Sequence, residues 1–443
     1  MLRGTLGLAL TATLAGCEAE IVPDKYLPTS AHDGYRHALS EAELLDTALG
    51  RDWTQAADNA LRSPVAIRPP FRESFYIDRS DAFATGYRFS VKRGQRIEVK
   101  LDLAPPSDWR LFLDLFRVGD EQGAAPVHVA SGGEGDLRLA FEPRRDGDYV
   151  VRIQSELLRG GSCTVEIRNV ASLEFPVSGH DTSSIGSRFG ASREGGRREH
   201  HGVDIFAPRH TEVRATSRAR VRRVDDWRLG GRVIWLEDPE RDLRIYFAHL
   251  ETQEAIEGTW VVPGQRIGTV GNSGNARSTP PHLHFGVYAQ REGPIDPYHF
   301  LYQPHRDPPS ITVDLDALGT WVRTKRTGAR LKLTYYNERP LEELGGTTPL
   351  LVTGGTGRDY RVELPNGMIG YVAAGEIEAI ETSLQSVQLT KAQLTRDRPS
   401  GDAAVVRRLD AGSQLNIFAT YDGYALVSVN DRRAEWLSDG SLQ

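Results

Sequence analysis

The chain has 443 residues, more than one ordinary core accommodates, and at about 100 to 200 residues per domain it divides into roughly three to five folded units. Charged residues make up 26% and the net charge is −6, the balance of a soluble globular protein and not of a dedicated nucleic-acid binder. With only two cysteines, Cys17 and Cys163, neither a disulfide framework nor a cysteine-rich zinc module is available, so any metal centre must use histidine and carboxylate.

Residues 1–16 carry Arg3 near the start and an apolar stretch from Leu6 to Leu14, too short to span a bilayer comfortably, and are expected to be a cleaved signal. The run Leu14-Ala15-Gly16-Cys17 resembles the lipobox of bacterial lipoproteins. That resemblance implies lipidation of Cys17 and a membrane-anchored protein, with Glu18 favouring the outer membrane facing the periplasm; the alternative is an ordinary signal with a chance cysteine. Residues 17–39 read as a tether. A helix is expected over 40–62, with Ser40 and Glu43 as a capping box and Leu45, Leu49, Trp53, Ala56 and Ala60 at helical spacing.

From 64 to 170 the period changes to two, as in Ile97, Val99, Leu101, Leu103 and again in Tyr149, Val151, Ile153. A β-sandwich is expected, with Cys163 buried on a strand. The stretches FSVKRGQRIEVKLDL and FEPRRDGDYVVRIQS resemble the jelly-roll domains that accompany secreted bacterial peptidases. Asp114, Asp136, Asp146 and Asp148 fit turns and solvated strand faces better than a calcium site.

Residues 174–305 hold His200, His201, His210, His249, His282, His284 and His299. In PPHLHFGVY, apolar alternation argues for a strand. His282 and His284 then share one face, about 6.6 Å apart along it, while Leu283, Phe285 and Val287 form the buried face. His200 and Asp204 enter a second strand-like run, Val203 to Phe206. Two histidines and one carboxylate leave a metal Lewis-acidic with a position open for water. On ligand type alone, zinc and non-haem iron both remain open.

His200 with Asp204, then Tyr246-Phe247-Ala248-His249-Leu250, then Pro281-His282-Leu283-His284-Phe285 resemble, in order, the motifs of the lysostaphin/LytM-type zinc metallopeptidases. The resemblance implies an antiparallel β-sheet groove with Zn2+ held by His200, Asp204 and His284, His282 as general base, and His249 steadying the transition state. It implies peptidoglycan peptide stems as substrate, and in an outer-membrane setting the D-alanine to diaminopimelate cross-link. His201 is one residue out of the ligand position, and His210 stands where many relatives have glycine. The segment from Gly274 to Pro281 is longer than in compact relatives, which leaves substrate contacts from Asn272, Ser273 and Asn275 open.

Beyond Pro308-Pro309, the run from Tyr360 to Val372 with Asn366-Gly367 at its turn resembles the closing hairpin of bacterial SH3-like domains, and Leu394 to Ser400 the opening strand of a second. Two small barrels are expected, over 311–380 and 386–443. The fold class expected for the chain is thus mostly β and multidomain: an antiparallel β-sheet metallopeptidase domain with an N-terminal β-sandwich and C-terminal small β-barrels. The function expected is a zinc-dependent endopeptidase; the alternatives are a non-catalytic regulator of other cell-wall hydrolases or a cell-wall-binding scaffold. No protein partner is indicated.

Overall fold

The computed structural model describes residues 30–80, 82–104, 109–119, 121, 123–133, 135–303, 307–337, 339–430 and 433–441. Cys17, the leader and the first part of the expected tether lie outside the described residues. No described helix is long and apolar enough to cross a membrane.

In place of one helix over 40–62 there are two, α1 (Ala31–Glu41) and α2 (Ala48–Arg62). Ser30 and Thr47 cap them, their hydroxyls accepting from the amides of Asp33 and Gly50. Ser40 and Glu43 end α1 and do not begin a helix. Glu43 is left-handed (φ 56°), its amide donates to the Ser40 carbonyl, and the Leu44 amide reaches back to the Leu39 carbonyl, the paired bonds of a Schellman motif. The break lets Leu39 of α1 and Trp53 of α2 pack on the same Phe112. Residues 31–39, expected as tether, are therefore helical.

The N-terminal strands form two facing sheets over one core that includes Phe75, Tyr87, Ile97, Leu115, Val151 and Val165. Cys163 lies in it, and burial pushes its thiol up to about 12. The acidic residues take local partners: Asp114 accepts from Arg152 and Ser131, Asp146 from Lys92 and Asp148 from Arg88.

The expected C-terminal barrels are overturned. The chain is mostly β, in several antiparallel and mixed sheets, and none closes into a barrel. Strand Pro349–Thr356, which a barrel would keep to itself, pairs with Phe71–Ile77 of the N-terminal region (Ser74 with Gly355, Phe75 with Gly354), so eleven strands form one sheet across both regions. The last region is an open five-stranded sheet with a separate two-stranded ribbon. The hairpin of Asp359–Glu363 with Ile369–Ala373 is present, but hairpins are local and closure is not.

Side chains reinforce the seam. Fully buried Glu73 accepts from the hydroxyls of Tyr87 (2.6 Å) and Tyr371 (3.3 Å), and Arg361 Nη2 stands 3.3 Å from it. Burial, then the Glu73 charge, holds both phenols well above their ordinary pKa, so they remain donors. A side chain at Gly354 would meet the Glu73 carboxyl at 3.0 Å, which explains a glycine there.

The ten-stranded central sheet runs, edge to edge, through Ile185–Ser187, Val203–Phe206, His282–Ala289, Leu243–Gln253, Gly231–Asp238, Ala219–Trp227 and Trp260–Val261, with three short strands beside this path. One face carries the core, including Val203, Ile205, Ile245, Phe247, Leu283 and Phe285. The other carries Tyr246, Ala248 and Val233 and, at one end, the histidines.

Replacing Glu73 by alanine is expected to cost about 3–5 kcal/mol, because Arg361 is left buried without its counter-charge. Urea unfolding followed by tryptophan fluorescence measures this; a loss below about 0.5 kcal/mol, the level of an ordinary surface change, would mean that the network does not hold the seam.

Candidate metal centre

Alternation along His282–Ala289 sends Leu283, Phe285 and Val287 into the core and His282 and His284 to the opposite face. Strand Val203–Phe206 pairs with it antiparallel, Asp204 opposite His284 and Phe206 opposite His282. Cross-strand neighbours share a face, so this register alone brings the carboxylate to the imidazole. His200 arrives from the preceding turn, its amide bonded to the Ala191 carbonyl and its carbonyl to the Gly190 amide.

His200 Nε2, Asp204 Oδ1 and His284 Nδ1 lie 3.0 Å from one another in all three pairs. At zinc–ligand bonds of 2.0–2.1 Å, the edge of a tetrahedral site is about 3.3 Å, so this triangle fits zinc with little movement. The chemistry fits as well. His200 Nδ1 donates to the Arg188 carbonyl (2.9 Å), which turns the Nε2 lone pair toward the carboxylate and His284. Electron-pair donors converging at 3.0 Å repel one another unless a cation lies among them. Burial alone would raise the Asp204 carboxyl, but His200 and His284, whenever they carry a proton toward it, outweigh burial and hold the group far below the ordinary carboxylate range, so it stays an anion. Burial lowers His284 toward the neutral form that ligates metal, against the pull of Asp204.

His282 and His249 face the same space with ring centroids 5.1 Å apart. His282 Nδ1 donates to the Pro280 carbonyl (2.9 Å) and His249 Nδ1 to the Ser273 carbonyl (3.0 Å), so each presents an Nε2 lone pair. Burial, then the neighbouring His284 and His282, lowers His249 to about 4. Neutral His249 is therefore an acceptor at Nε2 and donates there only after taking up a proton.

Strict alternation would have placed His249 on the core face with Ile245 and Phe247. Instead His249 is left-handed (φ 61°), and the pairing slips between Arg232 and Ile234, so that Ala248 and His249 both lie opposite Val233. This bulge turns His249 to the groove and returns Leu250 to the core.

The histidines line a cavity of about 440 Å³ whose walls include Arg193, Phe206, Leu229, Asn275 and Thr279. Among the described residues, those lining it all fall between Ser187 and His284, so neither the described N-terminal sheets nor the described C-terminal strands form its wall. Of the residues left open by the sequence, Asn275 lines the cavity, whereas Ser273 is structural: its hydroxyl accepts from the Arg232 amide and donates to the Leu250 carbonyl. Asn272 accepts from Arg209. His201 and His210 are exposed; His210 has φ 72°, a conformation that favours glycine. Sequence reasoning missed Arg193, whose Nη2 donates to Asp204 Oδ2 at 2.7 Å. It sits among Arg188, Arg197 and Arg198, and no spacing singles it out.

Residues 198–297 match the model of peptidase family M23. The chain is 38% identical over 179 residues to an L-Ala--D-Glu endopeptidase of Bacillus subtilis (strain 168), an alignment covering 38% of this chain and 54% of that protein, so the chain spans about half the length of that curated relative. Among solved structures, the catalytic domain of lysostaphin from Staphylococcus simulans is 31% identical, covering 26% of this chain and 90% of that one at a TM-score of 0.24. A zinc-containing peptidase from Vibrio cholerae is 21% identical, covering 39% of this chain and 55% of that one at a TM-score of 0.25. The family match and the His200, Asp204 and His284 cluster together identify a zinc metallopeptidase domain.

Gly202 lies beneath the His284 ring. A side chain there would meet the Phe285 carbonyl at 2.5 Å and His284 Nε2 at 2.8 Å. Gly202→Ala is expected to displace a ligand and to lose at least about 10-fold in zinc affinity, comparable to losing a group that orients a ligand. Zinc content after dialysis measures this; full retention would refute the packing argument.

Proposed function

We propose that this protein is a zinc-dependent endopeptidase that hydrolyses peptide bonds in the stem peptides of peptidoglycan, with residues 174–305 as its catalytic unit. The observation that carries the reading is the joint placement of three ligand atoms at 3.0 Å and two further imidazoles on one cavity. Zinc held by His200, Asp204 and His284 supplies Lewis acidity toward water and toward a peptide carbonyl.

The chain's own groups then handle protons. His282, held by the Pro280 carbonyl, offers Nε2 to take a proton from the attacking water. His249, neutral at the outset, accepts at Nε2 and in its protonated form donates to the developing oxyanion or the leaving amine. Phe206, its ring 5.1 Å from that of His282, walls the base on one side. A complete ligand set and a cavity lined, among the described residues, only by those of this domain favour an enzyme over a non-catalytic regulator or a wall-binding scaffold.

Two bonds are candidates. The D-alanine to diaminopimelate cross-link follows from a diderm envelope, and the L-Ala–D-Glu bond is named for the Bacillus subtilis relative. We favour the cross-link on the lipobox, which in this reading lipidates Cys17 and places the enzyme on the outer membrane facing the periplasm.

Purified muropeptides incubated with the zinc-loaded protein separate these possibilities by mass spectrometry: dimers become monomers if the cross-link is cut, and stems are lost beyond L-alanine if the other bond is cut. A chelator is expected to abolish either product and added zinc to restore it. His282→Ala is expected to lower kcat by about 10²–10⁴-fold with zinc content unchanged. Zinc-loaded protein that releases neither product defeats the enzyme reading in favour of the regulator.

Cys17→Ser is expected to move the protein from the membrane to the soluble fraction. Unchanged fractionation together with absent palmitate labelling of the parent would reject the lipid anchor.

A further inference from the structure

Asp204 divides its oxygens between two environments. Oδ1 faces His200 Nε2 and His284 Nδ1 at 3.0 Å, whereas Oδ2 accepts from Nη2 of Arg193 at 2.7 Å. The same Nη2 donates to Ser187 Oγ at 2.6 Å, and Ser187 pairs with Asp204 across adjacent strands. Arg193 reaches this point on a two-stranded hairpin, Ser192–Arg193 with Arg198–Glu199, that turns through Gly195 and Gly196, both left-handed. His200 follows directly, so a single short hairpin delivers a metal ligand at its end and a guanidinium to the far side of another.

A fixed cation 2.7 Å from a ligand carboxylate has two opposed consequences. Its charge repels a dication, which weakens metal binding. Its hydrogen bond holds the carboxylate in one orientation and occupies the second oxygen, which strengthens binding. Partners of this kind are worth about 10–100-fold in metal affinity when removed, so orientation is the larger effect.

We propose that Arg193 is a positioning residue for the metal centre: it reserves Asp204 Oδ2, so that Asp204 ligates through Oδ1 alone and the coordination number stays low. The inference rests on the zinc reading above. Arginine suits the task because its planar fork reaches Ser187 and Asp204 from one nitrogen and keeps its charge at any working pH.

The test measures zinc affinity of the whole protein by chelator competition for the parent, Arg193→Gln and Arg193→Lys, with the visible spectrum of each cobalt(II)-substituted protein. Arg193→Gln is expected to bind zinc about 10–100-fold more weakly, with Arg193→Lys recovering part of the loss. The cobalt absorption of Arg193→Gln is expected to fall in intensity, as a second carboxylate oxygen raises the coordination number. Thermal melting of the metal-free proteins is expected to be unchanged, which a general structural role would not allow. Unchanged or tighter zinc binding with an unaltered cobalt spectrum overturns the proposal, since charge alone would then account for Arg193.

Arg193→Met, which removes the guanidinium and leaves in place Ser187 Oγ with its contact to His200 Nδ1 at 3.3 Å, provides a second route if Arg193→Gln does not fold; weaker zinc binding is expected, and no change counts against the proposal. A parent protein that binds no zinc would instead refute the metal reading itself, a result separate from any difference among variants.

Discussion

The antiparallel register between Val203–Phe206 and His282–Ala289 is the constraint on which the metal centre depends. It sets Asp204 opposite His284 while Val203, Ile205, Leu283 and Phe285 fill the core behind them. Side chains alternate with a period of two, so a slip of one residue would turn the ligands into the core and expose the apolar set. Burial of those four side chains thus holds the ligands in place, although none of them touches the metal site's chemistry.

Around this register, backbone carbonyls decide which nitrogen of each imidazole is available. Those of Arg188, Pro280 and Ser273 take the Nδ1 protons of His200, His282 and His249. Each ring is thereby aimed and its Nε2 left as a lone pair. The bulge at His249 adds the one side chain that alternation would have misplaced, through a left-handed residue outside glycine's usual role.

The same chemistry applied elsewhere gives rigidity without a site. Glu73, Tyr87, Tyr371 and Arg361 form a buried polar cluster, but its groups partner one another: Tyr87 meets Glu73 from the N-terminal side, and Tyr371 and Arg361 meet it across the seam from the C-terminal strands. Contacts such as Arg241 with Glu142 and Arg93 with Glu292 join the central sheet to the N-terminal region through residues outside the cavity wall. The molecule therefore braces its parts while the cavity is built within one of them.

Spacing in the sequence set His282 and His284 on one face of a strand and His200 and Asp204 at the entry to another; that the two pairs belong to one site came from the resemblance to the metallopeptidase motifs, and the pairing of the two strands accounts for it. Sequence also sufficed for the buried face of each long strand and for Cys163 in the core. Tertiary structure alone decided the rest. Ser40 and Glu43 suit a helix start as well as a helix end, and the shared docking of Leu39 and Trp53 on Phe112 selected the end. The hairpin at Tyr360 to Val372 is equally compatible with a closed barrel and an open sheet, and the strand that extends the sheet beyond its neighbour Pro349–Thr356, Phe71–Ile77, lies nearly three hundred residues away. Arg193 is one arginine among several until the hairpin folds and sets its Nη2 against Asp204. Local periodicity records which face of an element is buried; it carries no record of which distant element will cover it.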